Sequence, residues 1–354
     1  MKFESLLPSL KLGRFKTAEG CLPAQHTMGI FLKKYVAIKI HTLLSSSIKR
    51  FSRVVVIGCY DRDLEISSKE KNDKLFNYKR PTAVIKGKTL YLCCFPGNDY
   101  IRHYAKLIAT HFKIIGVDRP VVYRLTNYGY TVRTLQQTNI NKLPKADVII
   151  FGNVDRIGIF EDQVFSGDGD FKWKIGKIKQ SDVLLLGCEF SIWGDIGYAL
   201  FKSLFKTEIK KFIYVGKLGT LDRDKVPNTF IGTGSSSYLN GKCIVWKNIF
   251  ENINQNHNSV IEGVHITCPS VVDETRDYIR KNSILGIFID PEIGHMAKAC
   301  NESKIQFSYL HIISDNVAKL HKQNLSNERR IAIIKKRKLL FRKIGKIIIE
   351  TINQ

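Results

Sequence analysis

The chain has 354 residues, of which 44% are hydrophobic and 25% are charged. This composition is that of an ordinary folded protein, and it excludes intrinsic disorder, collagen and a long coiled coil. The 56 Lys and Arg residues against 32 Asp and Glu residues give a formal net charge of +24. A charge of that size predicts an anionic partner, which can be a phosphate-bearing small molecule, a nucleic acid or a lipid surface.

Much of the positive charge lies at the two ends of the chain. Residues 1–52 contain nine Lys or Arg against two acids, and residues 318–354 contain eleven against two. These basic termini predict association with an anionic surface or with nucleic acid, although biased composition and solvated helix faces explain the same pattern. Residues 28–50 are typical of a basic helical segment that either lies on a membrane or packs on the body of the protein.

The cysteine pattern indicates a reducing compartment. The eight cysteines form no CxxC pair and have no histidine at metal-ligand spacing, and several lie inside apolar runs. We therefore expect buried thiols, no metal site and no cofactor. The N-terminus lacks the pattern of a signal peptide, and no segment has the length and apolar character of a transmembrane helix, so the expected location is the cytoplasm.

Beyond residue 52, short β-branched runs alternate with segments of helical period. The runs cover residues 53–57, 89–95 and 121–125 in a first series, and residues 148–151, 183–186 and 212–215 in a second. Apolar strands that alternate with helices indicate an α/β protein with a largely buried sheet. We divide the chain into a basic N-terminal segment (1–52), an N-terminal α/β region (53–146) and a larger domain (147–354).

The two series of strands also resemble each other in sequence. Residues 56–62 (VIGCYDR) are similar to residues 150–156 (IFGNVDR), and the strand-to-helix stretch 90–107 is similar to 184–204. A partial internal duplication would explain this similarity. Chance similarity of two strand–helix units is the alternative.

The last third of the chain has the clearest order. The predicted elements are a strand at 264–267, a helix at 271–282, a strand at 285–289, a helix at 292–301, a strand at 307–313 and a closing helix at 327–349. Glu292 opens a helix after one strand, and Ser314 and Asp315 end the next strand. Because open α/β sheets bind ligands at the carboxyl ends of neighbouring strands, both acids are candidate site residues. Ordinary helix-end preferences explain the same residues.

These residues resemble the nucleoside phosphorylase and nucleosidase superfamily, which includes purine nucleoside phosphorylases and methylthioadenosine nucleosidases. Its members have Met-Glu at the start of a helix, where this chain has Pro291-Glu292. They have Ser-Asp after the following strand, where this chain has Ser314-Asp315. Residues 216–221 (GKLGTL) are similar to the family's G-x-x-G-x-L.

The likeness covers roughly residues 147–350 and predicts the fold of that part of the chain. It implies a nucleoside-phosphorylase-like, three-layer α/β/α fold with a central mixed sheet. The N-terminal α/β region would be a smaller addition to that domain. The resemblance also implies a homo-oligomer.

The activity that the resemblance implies is cleavage of the N-ribosyl bond of a purine nucleoside or nucleotide through an oxocarbenium-like transition state. Asp315 would protonate or hydrogen-bond the leaving base at N7, and Ser314 would orient the Asp315 carboxyl. Glu292 would accept hydrogen bonds from the ribose hydroxyls and stabilise the cationic sugar.

Further substrate contacts are expected in two glycine-containing segments. The first provides Gly216, Gly219 and Thr220. The second is residues 231–237 (IGTGSSS), including Thr233, whose backbone amides would form a nest for a phosphate. A plain loop is the alternative there, and inorganic phosphate is the one co-substrate that we consider.

The chain departs from the family in the residues that would bind or activate the attacking group. The family's N-terminal Gly-Asp-Pro phosphate element with its nearby Arg has no counterpart after an early strand. A hydrolase needs instead a carboxylate after the first strand to activate water. Asp63 has suitable spacing but requires an insertion of more than a hundred residues, whereas Asp155 fits the chain order better and the spacing worse. An ordinary surface acid is the alternative for each.

The preferred function is therefore that of a nucleosidase or phosphorylase, a hydrolase or a glycosyltransferase. The rival function is non-catalytic binding of a nucleoside, a nucleotide or a protein partner, because the phosphate element is missing and Pro291 replaces Met. The unaltered pair of Glu292 and Asp315 favours the enzyme. A nucleic-acid-binding protein that uses its basic ends is a third interpretation.

Overall fold

The computed structural model describes residues 14–204 and 208–352, whose strands form two sheets. The strands of the first sheet are β1 (Lys16–Thr17), β2 (Arg53–Gly58), β3 (Glu65–Ile66), β4 (Thr82–Lys86), β5 (Thr89–Cys94) and β6 (Val121–Arg124). Their spatial order is β1-β6-β2-β5-β4-β3. The central strands β6, β2 and β5 are parallel, and β4 pairs with β5 in the antiparallel direction.

The second sheet contains the strands of the C-terminal two thirds. They are β7 (Val148–Gly152), β8 (Phe171–Ile178), β9 (Ser181–Cys188), β10 (Lys211–Thr220), β11 (Ile231–Thr233), β12 (Ser236–Leu239), β13 (Lys242–Val245), β14 (Val260–Glu262), β15 (His265–Thr267), β16 (Phe288–Asp290) and β17 (Gln306–Asn316). The central strand β10 lies between β7 and β17, both parallel to it. Near its carboxyl end β10 also pairs with the antiparallel strand β16. The predicted α/β fold with a mixed sheet is confirmed.

The helices lie around these two sheets. They are α1 (Phe31–Lys39), α2 (Leu43–Ser46), α3 (Asn98–Ile115), α4 (Tyr128–Gln136), α5 (Ile196–Ser203), α6 (Arg276–Asn282), α7 (Ile293–Glu302) and α8 (Ile331–Ile352). Among the described helices, none has the length and apolar character that crossing a bilayer requires. The apolar side chains Leu32, Tyr35 and Val36 of α1 are buried, so this segment packs on the body.

Two local predictions need correction. The helix predicted at 271–282 is interrupted, because Thr275 accepts a hydrogen bond from the Tyr278 N–H at 3.1 Å and caps a separate helix, α6. The interruption leaves Glu274 between a short 3₁₀ turn and that helix. Seven of the eight free cysteines are buried as expected, but Cys243 on β13 is exposed.

The topology of the two similar sequence units is the same. In the first unit the spatial order is β6-β2-β5-β4, and in the second unit it is β10-β7-β9-β8. In each order the first three strands are parallel and the fourth is antiparallel to its neighbour. Each unit also has a helix, α3 or α5, before its last strand. This agreement supports the duplication, which stays a hypothesis.

The two units meet through the N-terminal ends of α3 and α5. The Asp195 carboxylate accepts hydrogen bonds from the N–H groups of Asn98 and Asp99 at 3.0 and 3.1 Å. In return, the Asp99 carboxylate accepts the N–H of Asp195 at 3.2 Å. Each helix thus receives its N-cap from the other unit, which satisfies free amides and places negative charge at the positive end of each dipole. Beside this contact, Phe95 and Phe190 stack with ring centroids 4.0 Å apart.

The closing helix α8 packs tightly on the second sheet, and this packing generates a prediction. A Cβ added at Gly345 would collide with the carbonyl oxygen of Ile157. We expect Gly345→Ala to lower the free energy of unfolding by about 1–3 kcal/mol, the usual cost of overpacking, although Ala favours a helix more than Gly does. Urea denaturation would measure the change. The control Lys346→Ala, at an exposed position, should have little effect, and equal stability of Gly345→Ala would contradict the packing.

Candidate active site

A cavity of about 190 Å³ lies between the N-terminal region and the second sheet. Five of the predicted site residues line it, namely Gly216, Gly219, Glu292, Ser314 and Asp315. The N-terminal region supplies much of the remaining wall, from α1, from the loop between β3 and β4, and from α3. The cavity is therefore built by both sequence units.

Strand β10 brings the two predicted carboxylates together. Gly219 pairs with Asp315 of β17 on one side and with Ile289 of β16 on the other. The expectation that the two acids follow neighbouring strands is wrong, because β10 lies between β16 and β17 and β16 runs antiparallel to it. A Cβ at Gly219 would lie 3.3 Å from Asp315 Oδ2 and 3.0 Å from the Ile289 side chain. Glycine is therefore the residue that leaves room at this crossing.

A β-bulge positions Asp315. The register of β10 against β17 shifts by one residue between Leu218 and Gly219, so that Ser314 is the extra residue. The Ser314 hydroxyl lies 2.7 Å from Asp315 Oδ1, to which it donates, and 3.2 Å from the Leu218 carbonyl oxygen. Burial raises the pKa of Asp315 to about 6, against the lowering influence of Ser314, Arg337 and Lys217. A carboxyl with this pKa can carry a proton near neutral pH and release it.

Glu292 is held at the start of α7. Its own N–H and that of Ile293 donate to Asp290 Oδ1, each at 2.9 Å, so that Asp290 caps the helix. Burial, and then the neighbouring Asp290 carboxylate, raise the pKa of Glu292 well above its ordinary value, which a hydrogen bond with Tyr214 partly offsets. The Glu292 carboxyl therefore binds a proton more readily than an exposed glutamate does.

Two buried histidines fix the charge of Asp290. Burial acts to raise the pKa of Asp290, but His265 and His311 hold it below its ordinary value. His265 Nε2 lies 3.1 Å from Asp290 Oδ1, and its Nδ1 lies 2.8 Å from the Ser237 hydroxyl. Ser237, His265 and Asp290 are nonetheless no nucleophilic triad, because Ser237 and His265 are fully buried and do not line the cavity. Their role is to position Asp290 and, through it, Glu292.

Glu274 is a further carboxyl that lines the cavity, and the sequence analysis missed it. It lies in the interruption before α6, and its Oε2 has no hydrogen-bond partner among the described residues. Burial, and then the Asp315 carboxylate, raise its pKa well above the ordinary value. Glu274 and Asp315 both line the cavity.

Glu328 is the centre of a buried group of cations. Its Oε1 lies 3.1 Å from Lys39 Nζ and 2.8 Å from Lys71 Nζ, and its Oε2 lies 2.8 Å from Lys217 Nζ. Arg337 approaches the same Oε2 at 3.4 Å. Burial alone would raise the pKa of Glu328, but the surrounding lysines hold it well below its ordinary value. Burial lowers the pKa of Lys217 to about 8, although Glu328 opposes this change.

The other predicted site residues lie away from the cavity. Asp63 is exposed in the loop after β2, and Asp155 is half-buried beside Arg156, so neither candidate for activating water lines the cavity. Thr220 donates to the Ile287 carbonyl at 3.1 Å, and Thr233 donates to the Tyr309 carbonyl at 2.8 Å. Both threonines are fully buried. The predicted phosphate nest at 231–237 forms parts of β11 and β12 instead.

The basic C-terminal run also differs from the prediction. Lys335, Lys336 and Lys338 are exposed, but Arg337 is buried and donates to Asn228 Oδ1 at 2.6 Å as well as contacting Glu328. Its charge therefore belongs to the surroundings of the cavity. For Lys71 the signal in the sequence is the charged loop at 69–80 (KEKNDKLFNYKR), whose charges are equally typical of a solvated loop.

Similarity in sequence to known proteins is low and covers part of the chain. No family model matches the sequence. Oxidoreductase cns1 of the fungus Cordyceps militaris is 22% identical over 263 residues, which are 65% of this chain and 33% of that protein. The chain therefore spans about a third of the length of this curated relative.

Similar solved structures include a phosphorylase and a nucleosidase. Uridine phosphorylase from Vibrio fischeri has a TM-score of 0.48 and 14% identity, over 60% of this chain and 93% of that one. The 5′-methylthioadenosine/S-adenosylhomocysteine nucleosidase of Campylobacter jejuni has a TM-score of 0.45 and 11% identity, over 59% of this chain and 99% of that one.

The group around Glu328 generates a prediction about stability. Glu328→Gln removes the countercharge of three ammonium groups, and breaking a buried ion pair of this kind typically costs about 3–5 kcal/mol. We expect urea denaturation at pH 7 to show such a loss. The loss should shrink as the pH rises above about 8, because Lys217 then loses its proton.

The matched control is Glu251→Gln, which neutralises an exposed carboxylate. It should change the free energy of unfolding by less than about 0.5 kcal/mol. A Glu328→Gln variant as stable as this control at pH 7 would contradict the role of Glu328.

Proposed function

We propose that this protein cleaves the N-ribosyl bond of a purine nucleoside or nucleotide. The observation that carries the proposal is that Glu292 and Asp315 line one cavity, with their carboxyls buried and perturbed in pKa. Pairs of carboxyls in such surroundings are typical of acid–base sites. The resemblance of the C-terminal motifs to nucleosidases and phosphorylases supports the same reaction.

In the proposed reaction the bond between C1′ and the base nitrogen breaks, and its electron pair goes to the base. Asp315, protonated and oriented by Ser314, donates its proton to N7 of the leaving base. Glu274, which lines the cavity together with Asp315, is placed on the base side of the substrate. Glu292 accepts hydrogen bonds from the ribose hydroxyls, and the developing cationic sugar favours the ionised form of Glu292. The new bond at C1′ is made by water or by phosphate.

Non-catalytic binding is a second candidate function, and one observation favours it. Neither Asp63 nor Asp155, the two candidates for activating water, lines the cavity. A protein that binds a nucleoside without cleaving it would need no such carboxylate. Release of free base from a panel of purine nucleosides and nucleotides, with and without phosphate, separates the two functions.

The proposal predicts the effects of two substitutions. Asp315→Asn removes the proton donor and should slow base release by about 10²–10⁴-fold. Glu292→Gln should be comparably damaging, because the uncharged amide cannot stabilise the cationic sugar. Measured rates should be compared with those of Asp224→Asn, a matched change at an exposed aspartate. Unchanged turnover in either cavity variant would contradict the assigned roles.

The rate should also depend on pH. Because Asp315 acts in its protonated form and its pKa lies at about 6, kcat/KM for base release should fall as the pH rises above about 6. Asp315→Asn should remove this dependence from the residual rate. A wild-type profile that is flat between about pH 5 and pH 8 would argue against Asp315 as the acid.

The contribution of Asp315 to the free energy of unfolding should also fall as the pH rises. The folded-state pKa of Asp315, about 6, lies above its ordinary value of 3.8, so its protonation contributes stability that is present below about pH 4 and lost as the pH rises through 6. At about pH 7.5 we therefore expect Asp315→Asn to be more stable than the wild type by about 1–3 kcal/mol in urea denaturation. The difference should vanish near pH 4. A variant that is destabilised at neutral pH would indicate that the carboxylate is structural.

A further inference from the structure

The cavity carries more positive charge than the fold compensates. Lys39 comes from α1, Lys71, Lys74 and Arg80 come from the loop between β3 and β4, and Lys217 comes from β10; all five line the cavity. Four of these five residues belong to the N-terminal region, outside the segment that resembles nucleosidases. The C-terminal motifs therefore do not explain why these four cations line the cavity.

Among the described residues, one carboxylate neutralises this group. Glu328 contacts Lys39, Lys71 and Lys217, and it is shared further with Arg337. Within the same part of the chain, neither the Lys74 ammonium nor the Arg80 guanidinium has a carboxylate within 4.0 Å. Arg80 Nε is also buried there without a hydrogen-bond acceptor.

The other acids of the cavity form no ion pair with Lys74 or Arg80 in the described part of the chain, and Asp315, which accepts a hydrogen bond from Ser314, adds at most one negative charge. Burial is the largest cause that raises the pKa values of Glu274 and Glu292 well above the ordinary value, so it disfavours their charged forms. Asp290 is engaged by His265 and by the backbone of α7. Since Glu328 already contacts three of the five cations, a surplus of positive charge remains beside Lys74. Burial, and then Lys217, accordingly lower the pKa of Lys74 to about 7.

Uncompensated buried cations cost stability, so their presence indicates a ligand that carries negative charge. We propose that Lys39, Lys71, Lys74, Arg80 and Lys217 form an anion subsite that takes the phosphate group of a phosphorylated nucleoside. A phosphate monoester carries a charge of about −1.5 to −2 and three strong acceptor oxygens, which match the available donors of Lys74 and Arg80. The nucleoside part of this ligand rests on the proposed function, whereas the phosphate part rests on the cations alone.

Calorimetric titration of the full chain tests the subsite without requiring turnover. The probes are adenosine, adenosine 5′-monophosphate, inorganic phosphate, and adenosine with inorganic phosphate, together with the corresponding guanosine pair, all at one ionic strength set with chloride. We expect the monophosphate to bind at least about tenfold more tightly than its nucleoside, since a hydrogen bond to a charged group contributes about 1.5–3 kcal/mol. Equal affinity of nucleoside and monophosphate, with no binding of inorganic phosphate, would overturn the proposal.

Two variants locate the binding. Lys74→Gln and Arg80→Gln should each weaken monophosphate binding by about tenfold or more and leave nucleoside binding nearly unchanged. Lys74→Gln should not lower the free energy of unfolding of the empty protein, because it removes repulsion rather than an ion pair. The matched control is Lys34→Gln, at an exposed position of α1, which should change neither property. If Lys74→Gln and Arg80→Gln changed the affinity for the monophosphate no more than Lys34→Gln does, the result would contradict the subsite.

These experiments distinguish a phosphate that is part of the substrate from free phosphate. They also distinguish the anion subsite from the proposed cleavage. Tight binding of the monophosphate supports a phosphate that is part of the substrate, whereas phosphate-dependent release of base from a nucleoside supports free phosphate in the same subsite. Monophosphate binding that depends on Lys74, without any base release, would support the subsite and refute the cleavage. Base release at a rate that changes neither with added phosphate nor in Lys74→Gln would support the cleavage and refute the subsite.

Discussion

The buried carboxylate of Glu328 is the interaction on which the cavity depends. It contacts Lys39 of α1, Lys71 of the loop before β4, Lys217 of β10 and Arg337 of α8. Four segments that are far apart in the chain therefore converge on one negative charge. Because a single carboxylate cannot satisfy four cations, the contact holds the wall together and leaves it positively charged. The ion pairs of Glu328 thus hold the cavity wall together and also set the positive charge that a ligand meets.

The relation between the two sequence units explains why the cavity has two chemically different walls. The units share strand order, and they meet where Asp99 and Asp195 cap each other's helices. The second unit continues into the strands that carry the carboxyls, whereas the first unit ends in a smaller sheet and supplies cations. A duplication followed by divergence would give this arrangement, with one unit retaining the acid site and the other completing it.

The electrostatics of the acid wall follow from burial. Glu274, Glu292 and Asp315 all have raised pKa values, and burial is the largest cause for each. Asp290 differs from them, since His265, His311 and two backbone N–H groups keep it ionised. Such environments oppose stability, and they are typical of sites where a group must exchange a proton or meet a charged ligand.

The sequence by itself predicted the strands β2, β5, β6, β7, β9, β10, β15, β16 and β17 and the helices α7 and α8, because each has its own apolar period and a local boundary signal. It did not predict β3, β4, β8 or β11–β14. It did identify Glu292 and Asp315, since both stand next to a local signal for a helix start or a strand end. It could not determine the antiparallel direction of β16, the exposure of Asp63, or the contribution of Glu274, Glu328 and the N-terminal lysines. Strand direction, burial and charge compensation arise between segments far apart in the chain, and no local pattern records which distant groups will meet. Only the tertiary structure decided which charges share a cavity.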